Sequence, residues 1–246
     1  MSTAEGDHTG GWREWMSGRA PRVTTDYGLT ALLGLLVFMI FVIQPLAEIG
    51  VVGRFVTSIF FSLMLVSGVW AVGGRQGPAL ILGALVSVAL AVRWGSLYFG
   101  RGSLILASIL AEVFCISVVV IVLTEVFRGG RVTFHRIRGA VAAYLLLGLT
   151  FAFAYEMITL KWQDAFTFAN ARPTRPDALI SHFVYFSFVS LTTLGYGDVT
   201  PNHPIARSLV TLEALMGQLF PAILLARLVS LELLHEERRA AEEIRR

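Results

Sequence analysis

Ser190-Leu191-Thr192-Thr193-Leu194-Gly195-Tyr196-Gly197-Asp198 is the stretch whose reading decides the fold. Two glycines flank a tyrosine behind a pair of threonines. Glycine takes positive φ at no steric cost, so Gly195 and Gly197 mark a backbone that is neither helix nor strand. The flanks limit where such a backbone lies. Before it, Leu179–Leu191 is apolar but short; after it comes a long apolar run over 205–230. As a helix the first segment rises about 20 Å, less than the roughly 30 Å core of a bilayer. It is expected to enter the membrane and turn back. Irregular backbone at membrane depth is tolerated only where protein buries it or where it lines a water-filled path.

The whole chain fits that setting. Hydrophobic residues make up 55% of the 246 positions and charged ones only 15%, against about 25% charged in soluble proteins. Apolar runs at 29–47, 55–72, 78–99, 103–127, 139–160 and 205–230 each approach the ~20 residues a crossing helix needs. The expected architecture is an all-α membrane protein with six transmembrane helices and one re-entrant helix. Arg128, Arg131, Arg136 and Arg138 crowd the loop between the fourth and fifth runs, and arginines also gather in both terminal segments. With six crossings these fall on one side, which places both termini in the cytoplasm; Arg54, Arg93 and Arg101 fall outside as an exception. The single cysteine, Cys115, excludes an internal disulfide framework.

The boundaries follow. Residues 1–27 are polar, read as a cytoplasmic segment without a signal peptide; Trp12 and Trp15 leave it either a loose tail or a short interfacial helix. Residues 28–127 form a four-helix bundle, and 128–138 a basic linker. Residues 139–231 form a second unit: an outer helix, the re-entrant helix 179–191, the loop 192–198 and an inner helix 205–231. Residues 232–246 form a charged helical tail, in which Arg238–Glu242, Arg239–Glu243 and Glu242–Arg246 are four apart. Residues 161–178 form an outer turret. Nothing in the chain has the spacing of a phosphate loop, a nucleophile with its base or a metal cluster. An enzyme and a nucleic-acid partner are not expected.

The stretch 192–198 resembles the selectivity filter of the potassium-channel family, usually TTVGYGD, with Leu194 in place of the commoner valine. The resemblance is specific over 139–230 and only architectural over 29–127. It implies that a potassium ion sheds its water and takes oxygens of Thr193, Leu194, Gly195, Tyr196 and Gly197 in its place. Successive carbonyls normally alternate, and aiming them all at one axis requires positive φ at some positions, which the glycines accept. The Thr193 hydroxyl adds a lower ring of ligands. Thr192 and Asp198 support the filter, and the resemblance pairs Asp198 with the aromatic at Tyr185. One filter per chain implies four chains, so the expected assembly is a homotetramer in the lipid bilayer, of a bacterial inner-membrane type, with potassium ions as its cargo. Gly217, Gln218, Pro221, Leu225 and Val229 of the inner helix fall where the family has its cavity and gate. Pro221 is expected to kink that helix. The fourth run, Ser103 to Phe127, has no arginine or lysine. A voltage sensor needs such charges along one helix, so the channel is expected not to be voltage-gated. A voltage-gated cation channel and the membrane subunit of a potassium uptake system are the alternatives.

Two acids inside apolar runs stand apart, since an ionisable group in a membrane segment is a functional candidate by default. Glu112 is expected to meet Arg93, judged by depth. Glu213 lies behind the filter and is expected either to act or to hydrogen-bond the re-entrant helix near Ser190 or Thr192. His182 and His203, near the outer mouth, are candidate pH-tuning groups.

Overall fold

The computed structural model describes residues 22–72, 76–95, 100–126, 134–169, 173 and 175–244. Most of the amino-terminal segment and of the basic linker therefore lies outside the described residues. Helix α1 (Arg22–Phe38) passes through a π-helical turn (Met39–Ile43) into α2 (Gln44–Glu48). The wide turn has a local cause. Pro45 donates no N–H and its ring crowds the carbonyl four residues back, so the helix opens by one residue just before it. Then come α3 (Arg54–Val72), α4 (Gln76–Gly95), α5 (Gly100–Val126) and α6 (Phe134–Lys161). Strand β1 (Phe166–Phe168), α7 (Pro176–Leu191), β2 (Val199–Pro201) and α8 (Pro204–Ile244) complete the chain.

Among the described residues, four stretches have the length and composition to cross a membrane: Tyr27–Glu48, Arg54–Ala71, Ile137–Lys161 and Pro204–Arg227. Shorter apolar stretches run over Ala79–Gly95, Ser108–Thr124 and Ala178–Leu191. The chain is a helical membrane protein. Its helices pack in a definite order: α1 lies on α3 and α6, α4 on α3 and α5, and α5 along α6. The first helices thus dock on the outer helix of the second unit of their own chain. The core runs continuously from Leu32, Leu36 and Met64 through Phe114 and Val118 to Leu146, Tyr155 and Phe183.

The turret contributes a strand. β1 pairs antiparallel with β2, Phe166 opposite Pro201 and Phe168 opposite Val199. Three residues are too few for an alternating pattern to stand out in the sequence. The pairing follows from aromatic packing, because Phe166 lies edge-on against Tyr155, Phe183 and Phe186. Helix α7 starts at Pro176, earlier than Leu179, since proline is well suited to a first helical turn. Helix α8 continues unbroken past Pro221.

Candidate functional site

Helix α7 ends at Leu191, and the chain then turns with an unusual rhythm. Thr193 has φ of 60°, Gly195 56° and Gly197 78°, while Leu194 and Tyr196 between them are outside the positive region. Left-handed residues alternating with ordinary ones turn successive carbonyls of an extended stretch toward the same side, whereas those of a regular strand alternate. Threonine is costly in that conformation, on the order of 1–2 kcal/mol. Its surroundings hold it there. The Thr193 amide donates to the Ser190 carbonyl at 2.9 Å, and Gln218 Nε2 of α8 donates to the Thr193 hydroxyl at 3.0 Å. The Leu194 and Gly195 amides both donate to the Val189 carbonyl, at 2.9 and 3.3 Å. The N–H groups of this stretch therefore point back into the last turn of α7. That turn carries the negative end of the helix dipole.

Above the stretch, Asp198 ties it to the turret. Its carbonyl accepts from the Ala169 amide at 2.7 Å, and its side chain accepts from the Val199 amide at 3.1 Å. The Tyr185 hydroxyl hydrogen-bonds the Asp198 side chain. Thr192 donates its hydroxyl to the Phe188 carbonyl at 2.6 Å, capping α7. Residues 192–197 are exposed within the single chain, Leu194 to 59% and Tyr196 to 66%.

The inner-helix residues divide into two groups. Gln218, Pro221, Leu225 and Val229 are exposed, whereas Gly217 is buried against α7. A Cβ at position 217 would collide with the Leu191 carbonyl. The glycine is there because two backbones cross in contact, a reason that needs no hinge. Tyr144 of α6 donates to the same carbonyl at 3.4 Å.

Glu213, one turn before Gly217, is fully buried. Its hydrogen bond to the re-entrant helix goes to Ser187, one turn earlier than Ser190 or Thr192, with Oγ and Oε1 2.5 Å apart. Its other oxygen accepts from Tyr155 of α6 at 2.5 Å. Ser187 Oγ also lies 2.6 Å from the Gly148 carbonyl. Sequence flagged the acid but neither partner, since serine and tyrosine in apolar helices carry no mark of what they face.

The carboxy-terminal end of the first span also reaches the site. Ser181 donates to Gln44 Oε1 at 2.7 Å, and Arg175 donates to the carbonyls of Ala47 and Glu48 at 3.1 and 2.9 Å. His182 Nε2 lies 3.5 Å from a Glu48 oxygen, while His203 stacks on Trp162 at 4.4 Å. The expected Glu112–Arg93 pair is a correction. Arg93 lies over the Phe61 ring at 4.5 Å and interacts electrostatically with Glu156 of α6 and with Arg54. Ser108 donates to Glu156 at 3.0 Å. Glu112 Oε2 is buried without a hydrogen-bond partner. Depth selects a turn of helix, but rotation about the axis selects the neighbour, and only depth was legible.

A family model described as ion channel matches residues 141–232, from within α6 to within α8. That match covers less than half of the chain. Among curated relatives, a protein named two pore potassium channel c, from Oryza sativa subsp. japonica, is 39% identical over 88 residues, covering 36% of this chain and 17% of its own length. Protein LctB of Bacillus caldotenax is 33% identical over 87 residues, 35% of this chain and 64% of its own. The inward rectifier potassium channel Kirbac3.1 of Paramagnetospirillum magnetotacticum is 41% identical over 81 residues, 32% and 24% respectively. The chain thus spans less than two thirds of each of these relatives. No solved structure matches it.

Proposed function

We infer that this protein is a potassium-selective channel, a homotetramer whose fourfold axis is lined by the stretch 193–197. Carbonyl oxygens of Thr193, Leu194, Gly195 and Tyr196, with the Thr193 hydroxyl, replace the water of a potassium ion. The ion is cargo and moves passively, driven on by repulsion from its neighbour in the file. The alternation of positive φ at 193, 195 and 197 is the observation that carries this reading. With the amides of 193–195 turned into α7, their carbonyls are left for an ion. The names of two relatives, a two pore potassium channel and an inward rectifier potassium channel, support the choice of ion.

Four copies are supported by what a single chain leaves uncovered. Only 11% of the apolar window Pro204–Arg227 is buried, against 56% of Ile137–Lys161. A helix that is apolar yet uncovered on its own chain is suited to meet copies of itself, with Gln218, Pro221, Leu225 and Val229 along the cavity. The bundle 28–127 serves as a frame and not as a voltage sensor, and the protein sits in a cell membrane with both termini cytoplasmic. The filter assignment is tested by Tyr196→Asp and Gly195→Ala. Both variants are expected to insert and assemble but to lose potassium-over-sodium flux, since alanine at positive φ costs about 1–2 kcal/mol in every chain. Unchanged selectivity in both would overturn the assignment.

A further inference from the structure

The buried cluster behind the filter contains more hydrogen-bond contacts than its two hydroxyls have protons to fill. Three oxygen–oxygen contacts run in series: Tyr155 Oη to Glu213 Oε2, Glu213 Oε1 to Ser187 Oγ, and Ser187 Oγ to the Gly148 carbonyl. Each needs one proton. The tyrosine brings one, the serine brings one and a backbone carbonyl brings none. If Glu213 were a carboxylate, Ser187 would have to serve both neighbours with a single proton. One of two close oxygen pairs would then face each other with nothing between them, in a site without water exposure. A proton on Glu213 removes the conflict. Tyr155 then donates to the acid, the acid to Ser187, and Ser187 to Gly148, with every donor used once.

The surroundings agree. Glu213, Tyr155 and Ser187 are all fully buried. The titratable groups facing the acid are Tyr155 and Tyr144, both from α6; Ser187 is the polar group it meets on α7. Among the described residues no arginine, lysine or histidine is paired with it. A lone carboxylate in such a place is strongly disfavoured, whereas a neutral acid with all its hydrogen bonds made is not.

We propose that Glu213 is a neutral carboxylic acid and a positioning residue for the filter, joining α6, α7 and α8 through a one-way chain of three hydrogen bonds. It acts through others. Ser187 lies on the last turns of α7, whose terminal carbonyls receive the amides of 192–195. One turn along α8, Gln218 holds the Thr193 hydroxyl from the other side. The inner helix thus grips the filter's supporting helix with Glu213 and the filter itself with Gln218. This role rests on the filter reading above.

The test is Glu213→Gln, beside Glu213→Leu as a variant that cannot bond. A glutamine amide donates to Ser187 and accepts from Tyr155, as the neutral acid does. Infrared difference spectra of wild type minus Glu213→Gln, at neutral pH, should show the C=O stretch of a protonated carboxyl. The glutamine variant should retain the thermal midpoint and the potassium-over-sodium flux, while the leucine variant loses selectivity. Absence of the protonated-carboxyl band, or loss of midpoint and selectivity in the glutamine variant, would overturn the proposal. Band and midpoint are read on the purified protein whether or not it conducts. A chain that carried no potassium would therefore refute the filter reading without touching the protonation of Glu213.

Discussion

At the scale of single residues, the site shows what a sequence does and does not carry. Gly195 and Gly197 were legible because glycine is the residue that tolerates the backbone they adopt. Thr193 was not, although it shares their conformation. A threonine in the left-handed region contradicts its own preference, and only contacts from elsewhere, Gln218 among them, make it tenable. Gly217 teaches the reverse lesson. Read along the chain it suggests a hinge; packed against Leu191 it is a point of closest approach. Gly217→Ala is accordingly expected to lower stability by about 1–3 kcal/mol, the usual cost of overpacking. Thermal unfolding in detergent checks this. A variant of native stability whose only defect is altered gating would restore the hinge.

At the scale of helices, the apolar runs could be counted along the chain but their neighbours could not be read there. The π-helical turn ahead of Pro45 could be expected from proline chemistry. The docking of that helix end on α7 could not, because Gln44, Ser181 and Arg175 are far apart in the chain. Ser181 and Gln44 are both buried. Gln44→Leu should therefore remove the Ser181–Gln44 hydrogen bond and cost about 0.5–1.5 kcal/mol, read as a lower thermal midpoint. An unchanged midpoint would mean that the first span does not brace the re-entrant helix. The charged groups of the bundle give a second check at this scale. A double-mutant cycle on Arg93→Gln and Glu156→Gln should show coupling of about 0.5–3 kcal/mol. The same cycle on Arg93 and Glu112 should be additive within about 0.5 kcal/mol. The opposite pattern would return Arg93 to the partner that depth alone suggested.

At the scale of the whole molecule, a four-helix bundle rests on the outer helix of its own chain, and the segment similar to an ion-channel family model follows it. Under the proposed reading the bundle is a frame that lacks the charges of a voltage sensor. Each elementary charge moved across 100 mV is worth about 2.3 kcal/mol, and residues 103–127 hold no basic side chain to move. Open probability should therefore change little between negative and positive potentials. A gating charge of several units per assembly, measured under voltage clamp, would show that the bundle moves after all. The uncovered inner helix leads to a related expectation, that the protein purifies as a tetramer and loses flux when it is driven to monomers.

The central claim is that residues 193–197 select potassium, and purified protein in liposomes tests it most directly. With an outward potassium gradient and sodium as the comparison ion, the account predicts rapid potassium efflux, little sodium flux and the same ratio at every imposed voltage. Equal fluxes of the two ions, or none of either from correctly inserted protein, would contradict it.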